Sequence, residues 1–118
     1  MGINNDKGKL GENKAKEYLV SKGYNILDVN YRNKIGEIDI IAMDKDILVF
    51  IEVKSRSNIS YGYAFEAVDK RKQRKIINTS MVYVKCNNLG NFQLRYDIIE
   101  VYLTQRALVN HLENAFCL

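Results

Sequence analysis

The chain has 118 residues, of which 47% are hydrophobic and 27% charged, as in an ordinary soluble globular protein, and we expect one domain over residues 1–118. Its formal net charge is +4 and its isoelectric point is about 9.0, a mild basic bias that suits a polyanionic partner without requiring one. The N-terminus lacks the apolar segment of a signal peptide, and the longest apolar run, residues 47–51, is too short to cross a bilayer. We therefore expect a cytoplasmic protein that does not contact a membrane.

Cysteine and histidine content argues against two further classes of site. Cys86 and Cys117 are far apart and have no nearby cysteine or histidine, so neither a zinc site nor a disulfide framework is indicated, and we expect reduced thiols that fill space. His111 is the only histidine, and no Ser/His/Asp or Cys/His set accompanies it. Nucleophilic catalysis driven by histidine is therefore not expected.

The first predicted elements are a helix over residues 6–22, ended by a glycine, and a strand over residues 24–31. On the helix, Glu12, Ala15 and Leu19 have the spacing i, i+3 and i+7, so Glu12 falls on the stripe that faces the interior. An acidic residue in a first turn is also favoured by the helix dipole, which is the alternative explanation for Glu12.

Residues 36–54 predict two apolar strands joined by a polar turn, and they contain three ionisable residues in apolar surroundings, Asp39, Glu52 and Lys54. If residues 44–47 form a four-residue hairpin loop, Asp39 lies opposite Glu52, with Cβ atoms about 4.5 to 5.5 Å apart. Two such carboxylates repel each other unless a proton or a cation lies between them, and a divalent metal is the simplest solution. A shift of one residue in register would send the two acids to opposite faces. Glu37 would lie opposite Lys54, and a simple ion pair between them is a competing explanation for that lysine.

The following segment, residues 55–63, predicts a polar and aromatic loop. Arg56 and the tyrosines at positions 61 and 63 could contact nucleotides there, or the tyrosines could pin the loop to the core.

A second helix is expected from a cap at Asp69 to about residue 84. Five of its six residues at positions 70–75 are basic, which is typical of a solvated helix face or of a phosphate-binding one. A stripe through residues 77, 81 and 84 extends back to Gln73 and nearly to Lys70, so we expect these two to emerge toward the sheet and positions 71, 74 and 75 to point elsewhere. The candidate nucleic-acid contacts are Arg56, Lys70, Lys72, Arg74 and Lys75.

Residues 92–103 alternate between apolar and polar residues and predict another strand. Asp97 on this strand is interpreted as the partner of Arg95, with a place near the acidic site as the alternative. Residues 104–118 give a weak signal, either a short strand or a helical tail that carries His111.

The combination of Glu12, Asp39 and the Glu52-Val53-Lys54 triplet resembles the PD-(D/E)xK superfamily of restriction-endonuclease-like nucleases, to which archaeal Holliday-junction resolvases are related. More narrowly, the chain is similar to the YraN family of predicted endonucleases over residues 8–97. The segments that carry the similarity are GKLGENKAKEYL, GYNILDVNYR, GEIDIIA, VFIEVKSR and AFEAVDKRKQRKI. One departure is that Ile38, and not proline, precedes Asp39.

The resemblance implies an α/β fold with a central mixed sheet of four to five strands flanked by helices. It also implies roles: Asp39 and Glu52 bind Mg²⁺ or Mn²⁺, Glu12 completes the acidic cluster directly or through water, Lys54 orients the attacking water, and Gln73 supports the site. The expected function is metal-dependent hydrolysis of phosphodiester bonds in DNA, including structured or branched DNA.

Two alternatives remain at this point. One is a non-catalytic, nucleic-acid-binding accessory protein that retains the nuclease fold, and the other is an acidic cluster that holds a metal only to stabilise the fold. A symmetric homodimer would suit two cuts in a duplex, although no interface can be read from the sequence. No recognition element for bases is identifiable either, so recognition of nucleic-acid shape or strand ends is expected.

Overall fold

The computed structural model describes residues 3–56, 68–103 and 107–117, and the predicted loop with Tyr61 and Tyr63 lies outside them. Two helices and five strands are formed. They are α1 (Ile3–Ser21), β1 (Asn25–Arg32), β2 (Glu37–Asp44), β3 (Ile47–Arg56), α2 (Lys70–Cys86), β4 (Gln93–Leu103) and β5 (Ala107–Phe116). Neither helix is long and apolar enough to span a membrane, as far as the described residues go.

The five strands form one mixed sheet in the order β1-β2-β3-β4-β5. Strands β3 and β4 are parallel, and every other neighbouring pair is antiparallel. Helix α2 lies in the long connection that a parallel pair requires. The predicted α/β fold class is therefore confirmed. The C-terminal segment was predicted to form either a short strand or a helical tail. It forms the ten-residue strand β5, which pairs with β4.

The central strands of the sheet are buried on both faces because each face carries a helix. Phe50 packs in a cluster with residues of α2, whereas its neighbours Val49 and Ile51 pack in a second cluster with Ala15 and Leu19 of α1. All five side chains are fully buried. Strand β3 is accordingly apolar on both sides, so the charged residues near its end stand out against the rest of the strand.

Helix α1 ends in a glycine motif and approaches the sheet closely at another glycine. Gly23 has φ +90°, and the amide of Tyr24 donates to the carbonyl of Leu19, as in a Schellman cap. At Gly11, a Cβ atom would overlap the hydroxyl oxygen of Ser55 and lie 3.0 Å from its Cβ. A glycine is therefore needed where α1 crosses β3.

The hairpin of β2 and β3 has the predicted register but a tighter turn. Ile41 pairs with Phe50 and Met43 with Leu48, as expected, but Asp44 also pairs with Ile47, so only two residues form the connection. Lys45 in this turn has φ +55°. The same register, continued one step beyond the last regular pair at residues 40 and 51, sets Asp39 opposite Glu52.

The predicted interior stripe of α2 is wrong by about one position. Its buried residues are Ile76, Thr79, Ser80, Tyr83 and Val84, whereas Met81 is 43% exposed. The helix itself has the expected bounds, with the Asp69 carboxylate accepting a hydrogen bond from the amide of Lys72 at 2.9 Å. The corrected stripe extends back to Lys72 and Gln73, which are both half-buried, and not to the exposed Lys70.

A buried polar network joins β4, β5 and α1. The guanidinium of Arg95 donates two hydrogen bonds of 2.9 Å to Asp97, which confirms the predicted pairing. His111 Nε2 lies 2.7 Å from the same carboxylate, and its Nδ1 lies 3.0 Å from the hydroxyl of Tyr18. The backbone amide of Asn114 donates to Asp97 as well, at 2.9 Å.

The two outer strands of the described sheet are irregular. The β1–β2 register shifts between Ile26 and Asp28, and the β4–β5 register shifts between Tyr96 and Ile98. Asn30 on β1 and Asn114 on β5 have φ +52° and +53°. Cys86 and Cys117 are free thiols, as expected, but both are exposed and do not fill space in the core.

Candidate functional site

A pocket of about 200 Å³ lies where the open end of the β2–β3 hairpin meets the first turns of α2. We call it the acidic pocket. Its lining residues are Gly36, Glu37, Asp39, Glu52, Lys72, Lys75 and Ile76. The pocket therefore contains both carboxylates that the hairpin register predicts on one face, together with two lysines of the basic helix.

Asp39 is held at the point where regular pairing of β2 with β3 ends. Its Oδ2 accepts a hydrogen bond of 2.8 Å from the backbone amide of Val53. Burial, followed by the charge of Glu52, raises the pKa of Asp39 from 3.8 to about 7, against the lowering effect of the Val53 hydrogen bond. Asp39 forms no ion pair with any of the described residues. Its carboxyl group therefore titrates close to neutral pH.

Glu52 is only 8% exposed and holds two ammonium groups at a single oxygen. Lys72 Nζ lies 2.8 Å from Glu52 Oε2, and Lys54 Nζ lies 3.5 Å from the same atom. The two lysines consequently share one carboxylate.

The pKa values of the two lysines move in opposite directions. Burial lowers the pKa of Lys54, and the neighbouring Lys72 lowers it further. Burial also acts to lower the pKa of Lys72, but its contacts, with Glu52 first, outweigh burial and raise it. Lys72 is therefore the more tightly paired counterion of Glu52, which agrees with its shorter distance.

The competing explanation for Lys54 does not hold in the structure. Glu37 forms its ion pair with Arg32, at 3.1 Å, and not with Lys54. The side chain of Lys54 is 25% exposed and directed at Glu52.

Glu12 lies near the acidic pocket but is not one of its lining residues. Its Oε1 accepts a hydrogen bond of 2.9 Å from the side chain of Asn30 on β1. Its charge contributes to the raised pKa of Asp39, so the two groups lie within electrostatic range. Across residues 3–56, 68–103 and 107–117, no three acidic, histidine or cysteine side chains gather as a metal-binding group. Asp39 and Glu52 are thus brought together without Glu12.

Gln73 and Arg56 have other partners. The Gln73 amide donates to the carbonyl of Val68 at 2.9 Å. Arg56 forms an ion pair of 2.8 Å with Glu100, whose side chain is 2% exposed. The structure therefore places neither residue in the acidic pocket, and the charge of Arg56 is neutralised by a buried carboxylate.

Four of the basic residues of α2 lie around two pockets. Lys72 and Lys75 line the acidic pocket. Lys70 and Arg74 line a second pocket of about 360 Å³, together with Gln73. Lys70, Arg74 and Lys75 are exposed, so they remain available for phosphate groups.

Lys72 is the site residue whose position sequence reasoning missed, since it was expected only as a phosphate contact. Residues 72, 76, 79 and 83 have the spacing i, i+4, i+7 and i+11, which is the buried stripe of α2. The predicted stripe passes through Met81, which was expected to be buried but is exposed. The spacing that contains Lys72 was therefore not recognised.

The acidic pocket has the donor set that Mg²⁺ or Mn²⁺ requires. Such ions use one or two carboxylates and leave the other positions to water and phosphate oxygens. Asp39 and Glu52 supply two hard oxygen donors, and burial, followed by the charge of Glu52, raises the pKa of Asp39, an effect that a bound cation would counteract. The residues present therefore fit a divalent ion without a third carboxylate.

The chain was compared with known proteins. The model of Uncharacterised protein family UPF0102 matches residues 11–101. A UPF0102 protein of Clostridioides difficile is 53% identical over 113 residues, which cover 96% of this chain and 98% of that protein. A UPF0102 protein of Caldanaerobacter subterraneus is 49% identical over 92% of this chain and 93% of its own length. One of Persephonella marina is 45% identical over 93% of this chain and 92% of its own length. The chain therefore belongs to the UPF0102 family, the family that the resemblance to YraN proteins indicated.

Proposed function

We propose that the protein is a metal-dependent nuclease of the PD-(D/E)xK type that hydrolyses phosphodiester bonds of DNA. One observation carries the proposal: two opposed carboxylates, Asp39 and Glu52, line one pocket with lysines of a basic helix, and Lys54, although not a lining residue, lies 3.5 Å from Glu52. A carboxyl group whose pKa is raised to about 7 destabilises the folded protein at higher pH. A function in the pocket accounts for this cost, whereas nucleic-acid binding alone does not need an acid pair.

The two carboxylates of the pocket and the lysines around it have roles that their positions support. Asp39 and Glu52 would hold the divalent ion, which, when bound, neutralises charge on the phosphate and lowers the pKa of a water molecule. Lys54 Nζ, beside Glu52, is placed to donate hydrogen bonds to the attacking water and to the phosphate oxygens as negative charge develops. Lys75 at the pocket, and Lys70 and Arg74 beyond it, would contact neighbouring phosphates of the DNA strand.

A nucleic-acid-binding accessory protein is the second candidate. The observation that favours it is the exposure of Lys70, Arg74 and Lys75, which would serve binding equally well without chemistry. The test must therefore separate cleavage from binding.

The experiment is a cleavage assay with linear duplex, single strand, flap and four-way junction in the presence of Mg²⁺ or Mn²⁺. We expect cutting of at least one substrate by the wild type and a loss of about 100-fold or more in Lys54→Ala, because a group that stabilises developing charge is removed. Lys45→Ala is the matched control, since Lys45 is exposed in the turn at the opposite end of the same hairpin. It should cut like the wild type.

Cutting that persists in Lys54→Ala, or in the presence of a chelator, contradicts the proposed mechanism. Salt-sensitive binding to the panel, with no cutting by the wild type, supports the accessory protein instead. If the protein cuts DNA, the substrate that it cuts fastest shows which class of DNA it acts on.

A further inference from the structure

The shortest ion pair in the acidic pocket joins Glu52 to Lys72. The distance from Lys72 Nζ to Glu52 Oε2 is 2.8 Å, compared with 3.5 Å for Lys54 Nζ. One of the two Glu52 oxygens that could ligate a metal is therefore occupied by ammonium groups. A divalent cation that ligates Oε2 would be repelled by an ammonium at this distance, so we expect the nearest lysine to withdraw when the ion binds.

The two lysines differ in their freedom to withdraw. Lys54 lies on β3, and its side chain is 25% exposed. Lys72 lies in the first turns of α2, and its side chain is 43% exposed. Because a lysine side chain is a flexible four-carbon chain with a mobile charge, the more exposed Lys72 has more open space to move into than Lys54, although its ion pair is the shorter one.

A withdrawn Lys72 has a destination within the same pocket. Lys75 and Ile76 line the pocket beside it, and the helix begins just before it at Asp69. A phosphate group at this position would face Lys72 and Lys75. The ammonium group would then exchange a carboxylate partner for a phosphate partner.

We propose that Lys72 is an exchangeable counterion, which neutralises Glu52 in the metal-free protein, yields that carboxylate to the metal and then binds a phosphate of the nucleic acid. This inference rests on the proposed function, because it takes Asp39 and Glu52 as the metal ligands. It makes metal and nucleic acid bind cooperatively. The ion releases the lysine for phosphate, and the phosphate holds the lysine away from Glu52, so each ligand raises the affinity of the other by the same factor.

The test measures Mn²⁺ binding by titration calorimetry, without any cleavage. We expect Lys72→Met to bind Mn²⁺ about five- to tenfold more tightly than the wild type, since the competing ammonium is gone. Lys75→Met removes the same charge from the same pocket but from a lysine that holds no described carboxylate, and its Mn²⁺ affinity should change less than about twofold. Lys72→Gln should behave like Lys72→Met, and circular dichroism checks that both are folded.

The second arm repeats the titration with a five-nucleotide phosphorothioate oligothymidylate. The oligonucleotide should raise the Mn²⁺ affinity of the wild type by about the same five- to tenfold factor and should have little effect on that of Lys72→Met. Equal Mn²⁺ affinity in the wild type and Lys72→Met, with binding lost in Asp39→Asn, overturns the counterion role and leaves the metal site intact. Equal tightening in Lys75→Met also overturns it, because general charge then explains the effect. No Mn²⁺ binding to any variant overturns both this inference and the proposed metal centre.

Discussion

At the scale of single residues, the acidic pocket destabilises the ionised form of Asp39. Burial and the Glu52 charge raise its pKa from 3.8 to about 7. Between these two values the native protein keeps a proton that the unfolded chain has released. The free energy of unfolding therefore falls as the pH rises through this window, and the loss stays constant above it.

Asp39→Asn should stabilise the metal-free protein at pH 8, because the substitution removes this carboxyl group while its side-chain oxygen can still accept the Val53 hydrogen bond. We expect a gain of about 1–2 kcal/mol in the free energy of unfolding at pH 8, a smaller gain near pH 6 and none below the ordinary pKa of 3.8. Urea denaturation of both proteins at these pH values, in the presence of a chelator, measures the difference in the free energy of unfolding.

Asp46→Asn is the matched control, since Asp46 is an exposed aspartate in the turn of the same hairpin. Its effect should stay within about 0.5 kcal/mol at every pH. An Asp39→Asn protein that is less stable than the wild type at pH 8 would show that the carboxylate contributes to the fold.

The sequence predicts part of this site and misses another part for a physical reason. The juxtaposition of Asp39 and Glu52 follows from strand alternation and a short hairpin, which are local features. Arg56 is different, because its partner Glu100 is 44 residues away on a strand paired in parallel with its own. The position of Lys72 likewise depends on which face of α2 is buried. The sequence pattern did not identify that face, because a methionine on the predicted face is exposed.

At the scale of elements, the position of α1 depends on its contact with β3 at Gly11. Gly11→Ala should lower the free energy of unfolding by about 1–3 kcal/mol, because the new methyl group overlaps the Ser55 side chain. Gly8→Ala is the control on the same helix, since a Cβ there has no atom within 4 Å, and it should stabilise by up to about 1 kcal/mol.

The double variant Gly11→Ala/Ser55→Ala tests the cause. Removal of the hydroxyl leaves a contact of 3.0 Å to the Ser55 Cβ, so stability should recover only in part. Chemical denaturation of all four proteins provides the comparison. If Gly11→Ala is as stable as Gly8→Ala, the close crossing of α1 over β3 is wrong.

Both helices and the first four strands are predictable because each has a local signal. Gly23 ends α1, Asp69 caps α2, and apolar residues alternate or cluster in the strands. Strand β5 lacks such a signal. Its segment contains polar residues and an asparagine with positive φ, Asn114. Its conformation is determined by pairing with β4 and by the hydrogen bond that the Asn114 amide donates to Asp97.

At the scale of the whole molecule, the Asp97 network connects the C-terminal strand to the rest of the fold. Burial acts to raise the pKa of Asp97, but hydrogen bonds from His111 and Arg95 outweigh it and hold the pKa below 3.8. The carboxylate therefore stabilises the fold above pH 3.8, and this contribution is lost as the pH falls through the lowered pKa.

Asp97→Asn should lower the free energy of unfolding at pH 7 by about 3 kcal/mol, because the mostly buried Arg95 loses its bidentate partner. Glu113→Gln is the control. Its carboxylate lies 3.7 Å from the same guanidinium, but its side chain is 60% exposed, so its effect should stay within about 0.5 kcal/mol. Urea denaturation at pH 7 and pH 3 measures both. The deficit of Asp97→Asn should narrow at pH 3, and a deficit below 1 kcal/mol at pH 7 would contradict the network's role.

The irregular outer strands have a consequence for how copies of the protein meet. A straight, open strand edge is a template on which other chains stack into fibrils. Here the strands at both edges of the described sheet carry a register shift and an asparagine in the left-handed region, Asn30 on β1 and Asn114 on β5. A bent edge of this kind offers an incoming strand only short runs of matched donors and acceptors. The described edges of the sheet therefore disfavour edge-to-edge polymerisation of the protein.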